Sequence, residues 1–248
     1  MRIAVAGGTG TVGRHVVEVA RERGHETVVL SRSEGVDLVS GEGVAAGVRG
    51  ADAVVDVASV QTRDSAASEE FFASVTRGLL EAEQRASVGH HVALSIVGID
   101  AAPEAYYAGK VLQERLVAEG VIPWTILRAT QFHEFAQQIH GGVTVGPVTL
   151  VPRMRSQPVA AREVAERLVE LVEAGPSGRV ADLGGPQEKR MVDMVRAYAR
   201  RIGSRGPVVQ VPLPGAFGRA MRDGSLLTGA GADHGRRTFD EWLAALGV

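Results

Sequence analysis

The stretch Arg2-Ile3-Ala4-Val5-Ala6-Gly7-Gly8-Thr9-Gly10-Thr11-Val12-Gly13 decides the fold. A short apolar run enters a glycine cluster that satisfies both Gly8-x-Gly10-x-x-Gly13 and Gly7-x-x-Gly10-x-x-Gly13. Val12, Val16, Val19 and Ala20 then recur at helical spacing. A bare glycine pattern arises often by chance. With a strand before it and a helix after it, the cluster reads as the βα turn that receives a dinucleotide. The early glycines allow the tight turn, Gly10 admits the backbone to a pyrophosphate, and Gly13 lets helix and strand pack closely. Unpaired backbone N–H groups and the helix dipole favour the anion. The competing reading is a glycine-rich βα turn with no ligand.

Beyond this loop, short apolar runs alternate with longer amphipathic ones. The pattern predicts strands at 2–6, 27–30, 53–57, 91–95, 124–127 and 180–183. Helices are expected at 11–23, 43–48, 69–86, 103–119, 133–140 and 161–174. Such alternation gives βαβ units, a parallel sheet and helices on both faces. The stretch 143–158, rich in Gly, Val and Pro, reads as a hairpin or lid-like loop. Helices are expected again at 189–202 and 238–246, whereas 219–233 is too glycine-rich to assign. The whole reads as one α/β domain over 1–248, with 143–159 and 185–248 forming a small substrate-side lobe or only irregular packing.

Composition narrows the function. Hydrophobic residues make up 45% of the chain and aromatic ones only 4%, so the core must be built of Val, Ala and Leu, as in strands buried on both faces. A formal charge of −2 lacks the basic excess that nucleic-acid or membrane-surface binding requires. Absence of cysteine removes disulfides, thiolate catalysis and Cys-ligated metals. No signal peptide and no apolar run near the ~20 residues of a membrane span are visible, so a cytoplasmic protein is expected, monomer or homodimer. The histidines show no spacing for a metal, and none is expected. His133 is expected at the surface or as a cap rather than in a pocket.

The second strand selects the nucleotide. It ends in Leu30-Ser31-Arg32-Ser33, without the carboxylate that an NAD site uses to hold the ribose 2′-hydroxyl. Arg32 can pair with a 2′-phosphate and lie against adenine, and Ser31 can donate a bond. Arg32 as a solvated surface residue is the alternative. NADP(H) is the expected cofactor.

These features, together with Gly35-Val36-Asp37-Leu38, Leu94-Ser95-Ile96-Val97-Gly98, Tyr106-Tyr107-Ala108-Gly109-Lys110 and Leu127-Arg128-Ala129-Thr130-Gln131-Phe132, occur in order. Together they resemble the atypical short-chain dehydrogenase/reductases, in their NmrA-like NAD(P)-binding branch. The resemblance implies a Rossmann doubly wound parallel sheet with a small C-terminal substrate lobe. It implies that Asp37 and Leu38 flank adenine. Val57, Ala58 and Ser59, at the end of the fourth strand of such folds, would line the adenosine ribose and pyrophosphate. Thr130, Gln131 and Phe132 would lie beside nicotinamide and substrate. Against this, Val57 and Ala58 could be core, and Gln131 could cap the following helix.

Tyr106 and Lys110, four apart on a helix, share a face. In the resembled superfamily such a Tyr-x-x-x-Lys pair donates a proton to a carbonyl during hydride transfer, while the Lys holds the nicotinamide ribose. For that exchange the phenol must fall by roughly two to three units from ~10. The bland reading buries Tyr106 and solvates Lys110. Ser95 is the candidate for the third catalytic group, but it is expected at the start of its strand, with Ile96 and Val97 where the catalytic hydroxyl usually sits. Phe132, Phe135, Met154 and Gln131 are the candidate pocket walls. The sequence therefore points to an NADPH-dependent oxidoreductase of a small apolar carbonyl compound or quinone. Its rivals are a non-catalytic NADP(H) sensor and a non-redox isomerase or cyclase.

Overall fold

The computed structural model describes residues 1–142 and 144–247; Val143, at the head of the expected 143–159 segment, and Val248 lie outside the described residues. The chain divides into two compact units. The first comprises Met1–Ile96, Pro103–Arg128 and Arg162–Ala181, the second Val97–Ala102, Ala129–Ala161 and Asp182–Val248.

The first unit is a Rossmann-like α/β fold with a parallel sheet. In chain order its main elements are β1 (Arg2–Ala6), α1 (Gly13–Glu22), β2 (Glu26–Leu30), α2 (Val44–Gly47), β3 (Ala53–Asp56), α3 (Ser65–Ala86), β4 (His90–Ile96), α4 (Tyr106–Glu119), β5 (Trp124–Ala129) and α5 (Ala161–Ala174). The spatial order is β5-β4-β3-β1-β2. β1 pairs in parallel with β2 on one side (Val5 opposite Val29) and with β3 on the other (Val5 opposite Val55). Successive strands depart from β1 in opposite directions, leaving a crevice at the carboxyl ends of β1 and β3, where doubly wound sheets bind ligands. No strand intervenes between β2 and β3 among the described residues, so the segment ending in Val57–Ser59 follows the third strand here, not a fourth.

The elements form where the apolar pattern put them, and local chemistry sets their ends. α1 turns Val16, Val17, Val19 and Ala20 inward. Ala4, Ala6, Leu30, Val36, Val54, Val75 and Leu79 belong to one buried cluster. α3 begins at Ser65, four residues ahead of expectation, because Asp64 Oδ1 accepts the Ala67 N–H at 2.7 Å as a helix cap. α4 begins later than expected, at Tyr106. Ala105 before it adopts φ 52°, which a non-glycine residue rarely does, and its N–H is held by Ser65 Oγ at 2.8 Å. The expected strand at 180–183 is instead two fragments. Gly178–Arg179 pairs with β5, and Leu183–Gly184 belongs to the second unit.

In the second unit, Thr144–Val145 and Val148–Pro152 form an antiparallel hairpin, which Val208–Val211 joins in parallel. Leu183–Gly184 pairs with Asp233–His234, and Leu183 also pairs with Ala129. Arg155–Ser156 pairs with Lys189–Arg190, so the expected helix at 189–202 starts only at Met191. It buries Met191, Val192, Met194, Val195 and Tyr198. The unassigned 219–233 stretch supplies the end of a helix, Gly215–Asp223, and the connection that follows.

Candidate dinucleotide and proton-transfer site

The glycine loop leaves β1 with Gly7 at φ 78°, a left-handed turn that glycine adopts without steric cost. Two approaches are closer than any side chain allows. A Cβ on Gly7 would stand 2.9 Å from Ala58 Cα, and one on Gly13 would collide with the Gly7 carbonyl. The loop is therefore wedged between α1 and the segment after β3. Gly7 N–H donates to Leu30 O at 3.1 Å and Gly10 N–H to Gly7 O at 2.9 Å, fixing the turn. The next three amides, of Thr11, Val12 and Gly13, find no acceptor among the described residues. Orphan donors at a helix mouth, in a loop where Gly7, Gly8, Gly10 and Gly13 carry no side chain, fit a diphosphate.

At the end of β2, Ser31 is buried and its hydroxyl lies 2.9 Å from Ser33 Oγ. Arg32 is exposed, and its guanidinium has no hydrogen bond or ion pair among the described residues. Asp37 Oδ1 accepts the N–H groups of Val39 (2.8 Å) and Ser40 (3.2 Å), so one carboxylate oxygen shapes its own turn. Leu38 packs half-buried against the core cluster.

Two of the catalytic candidates, Tyr106 and Lys110, are each hydrogen-bonded to groups near the carboxyl end of β3. Tyr106 Oη meets Ser59 Oγ at 2.9 Å. Ala58 N–H donates to Asp56 Oδ1 at 3.0 Å, and Asp56 Oδ2 accepts from Gln113 Nε2 at 2.7 Å. Gln113 Oε1 accepts from Lys110 Nζ at 2.6 Å. Lys110 Nζ also donates to Leu94 O at 2.7 Å and stands 4.5 Å from the Phe72 ring centroid. Ser68 Oγ anchors the Tyr106 carbonyl at 2.9 Å. Asp56 and Gln113 are fully buried, and Lys110 is 4% exposed. Lys110 is thus interior, not solvated. Its ammonium has two acceptors and an aromatic face, yet burial still pulls it down to about 8, against the opposing pull of Asp56 and Glu114.

Tyr106 departs from expectation. Burial pushes the phenol up to about 12, and the Asp56 charge adds to it, while the Ser59 bond acts the other way. The Lys110 ammonium, which donates to Leu94 O and Gln113 Oε1, makes no bond to the phenol. Ser95 is the second correction: it is the sixth of seven residues of β4, near the end and not the start. It is 2% exposed, and its hydroxyl finds no partner among the described residues.

The second unit holds the remaining candidates. Thr130 is buried, and its hydroxyl donates to Gln157 O at 2.5 Å. Gln131 Oε1 accepts from Ser156 Oγ at 3.1 Å, whereas its buried Nε2 has no acceptor among the described residues. Phe132 and Phe135 are half-buried and Met154 is buried. A hollow of about 440 Å³ in this unit, lined by Glu188, Lys189, Asp193, Met194 and Phe239, is not walled by Gln131, Phe132, Phe135 or Met154. His133 is neither a surface group nor a cap. It is fully buried against the Phe239 and Trp242 rings, with Nε2 3.1 Å from Arg237 O, and burial pulls it down to about 4.

Asp56 and Gln113 were missed from the sequence, although both left a trace. Asp56 is a charge closing the apolar run Ala53-Val54-Val55, and Gln113 lies three residues after Lys110 on one helix face. Among the described residues no helix is long and apolar enough to cross a membrane.

Comparison with known proteins agrees with this architecture. A family model described as NAD(P)H-binding matches residues 7–174. The photosystem II assembly factor Ycf39 of Synechocystis sp. is 27% identical over 236 residues, covering 86% of this chain and 71% of that one. The NADPH-dependent quinone oxidoreductase QOR2 of Escherichia coli superposes with a TM-score of 0.66 at 15% identity, covering 98% of both chains. UDP-glucose 4-epimerase of Thermus thermophilus, solved with NAD, gives 0.68 at 19% identity, covering 99% of this chain and 100% of that one.

Proposed function

The chain belongs to the NAD(P)H-binding family, and from that premise we propose that it is an NADPH-dependent oxidoreductase of the atypical short-chain dehydrogenase/reductase kind, acting on a small apolar carbonyl compound or quinone. The observation that carries this reading is the pair of contacts beside the glycine loop, Tyr106 Oη to Ser59 Oγ and the buried chain Lys110–Gln113–Asp56, joined through the main chain by the Ala58 N–H that Asp56 accepts. The amides of Thr11, Val12 and Gly13 take the diphosphate, and Arg32 takes the 2′-phosphate. The nicotinamide supplies the hydride. Tyr106, held as a phenol, gives the proton to the developing alkoxide, and Lys110 keeps positive charge beneath the helix turn that carries it.

Two outcomes test this reading. Arg32→Ala is expected to weaken NADPH binding about 10- to 100-fold, the worth of one charge-assisted contact, with NADH binding nearly unchanged. Calorimetric titration measures both, and equal losses for the two nucleotides contradict the assignment. Tyr106→Phe is expected to lower turnover about 100-fold or more across quinones, ketones and aldehydes while leaving NADPH affinity in place. An unaltered rate removes Tyr106 from the chemistry.

A second reading, a non-catalytic NADP(H)-responsive binding protein, draws on two observations. Ile96 and Val97 stand where a catalytic hydroxyl is usual, and a relative at 27% identity is an assembly factor. That reading requires cofactor binding with no NADPH consumption on any substrate of the panel.

A further inference from the structure

We propose that Ser59 is a positioning and proton-relay residue acting through Tyr106: its hydroxyl resupplies the proton that Tyr106 gives to the carbonyl. This rests on the reductase reading above. Three observations converge on it. Ser59 Oγ lies 2.9 Å from the phenolic oxygen, the one side-chain partner that oxygen has among the described residues. Ser59 is exposed, so its other face reaches water, whereas Ser95 is buried with an unpartnered hydroxyl. The backbone that carries Ser59 is fixed: Ala58 N–H is held by the fully buried Asp56 carboxylate, and Ala58 is pressed against Gly7.

The balance is complete. A bound reduced nicotinamide would give its hydride, with the electron pair, to the carbonyl carbon and would itself be oxidised. The carbonyl π pair moves to oxygen, which takes the Tyr106 proton. As the phenolate forms, the Ser59 O–H bond breaks and its proton passes to Tyr106, while a water proton re-forms the Ser59 hydroxyl. The net consumption is one hydride and one solvent proton. The Ser59 bond favours the phenolate, opposing the burial that disfavours it. A hydroxyl donor at this position lowers the barrier to forming the ionised phenol without being consumed. This differs from the expected role of Ser59 as a wall of the nucleotide pocket, which needs no bond to Tyr106.

The experiment compares the unaltered protein with Ser59→Ala, Ser59→Thr, Tyr106→Phe and the Ser59→Ala/Tyr106→Phe double variant. NADPH affinity is read by calorimetry, turnover on the quinone and carbonyl panel as a function of pH, and the Tyr106 ring by NMR of isotope-labelled tyrosine in the cofactor-free protein. Ser59→Ala is expected to lower kcat about 10- to 100-fold with NADPH affinity within about twofold, and to move the Tyr106 ring resonance. Ser59→Thr restores most of the rate. In the Tyr106→Phe background Ser59→Ala costs nothing further, because the two hydroxyls act as one unit. A tenfold loss of NADPH affinity at unchanged kcat overturns the proposal in favour of a nucleotide-pocket role. A Ser59→Ala rate equal to that of an active unaltered protein also overturns it and leaves the reductase reading standing. An unaltered protein that binds NADPH and turns over nothing removes both.

Discussion

Gly13→Ala is expected to weaken NADPH binding on the order of 100-fold. A methyl group there collides with the Gly7 carbonyl and stands 2.7 Å from Gly8 Cα, both of them backbone, so no side chain can move aside. Either α1 or the loop must shift, and the amides of Thr11, Val12 and Gly13 shift with it. Losing two charge-assisted amide–phosphate bonds at about 1.5 kcal/mol each amounts to about 3 kcal/mol, hence the hundredfold. Folding stability falls by about 1–3 kcal/mol from overpacking, so circular dichroism should still report a folded α/β protein. Titration measures the affinity, and a folded variant binding as tightly as the unaltered protein means that this loop does not hold the diphosphate. Gly229, where a Cβ meets nothing within 4 Å and the backbone does not require glycine, is the control for adding bulk at a loop glycine.

The second large effect concerns stability beneath the site. Glu83 and His91 form a pair buried completely between α3 and β4, with Nδ1 2.9 and 3.0 Å from the two carboxylate oxygens. Burial works against the imidazolium, but the Glu83 charge and hydrogen bond, aided by Asp56, outweigh it and raise His91 above its ordinary range. Glu83→Ala is expected to cost about 3–5 kcal/mol, the penalty for stranding one member of a buried pair. Chemical denaturation measures it. The pH dependence has a definite sign. With the folded value raised, the contribution is complete below the unfolded value of about 6.5 and is lost as pH rises through the folded one. The gap between the unaltered protein and Glu83→Gln should therefore narrow as pH rises. A gap that widens places His91 neutral in the folded state.

The fold was legible because its evidence is local. A parallel strand buried on both faces must be an unbroken apolar run, and Ile3 to Ala6 announces one. The glycine loop then reports its own conformation, because Gly7 and Gly13 sit where backbone meets backbone. Helix ends were less legible, being set by contacts distant in sequence. Nothing near Ala105 reveals that Ser65 Oγ will hold its N–H in a left-handed turn and delay α4 to Tyr106. The site was half legible on the same grounds. Tyr106 and Lys110 are neighbours by helical spacing alone. That Lys110 turns inward to Leu94 O and Gln113, and that Ser59 meets the phenol, depends on how β3, β4 and α4 pack. His133 shows the limit most plainly. Its flanking sequence gives no sign of the Phe239 and Trp242 rings that enclose it from about a hundred residues away.

Calorimetric titration of the purified chain with NADPH and with NADH tests the central assignment most directly, since the glycine loop, its orphan amides and Arg32 must act together for either result. NADPH should bind with micromolar affinity and NADH at least tenfold more weakly. No heat of binding from either nucleotide at millimolar concentration would contradict the account at its root.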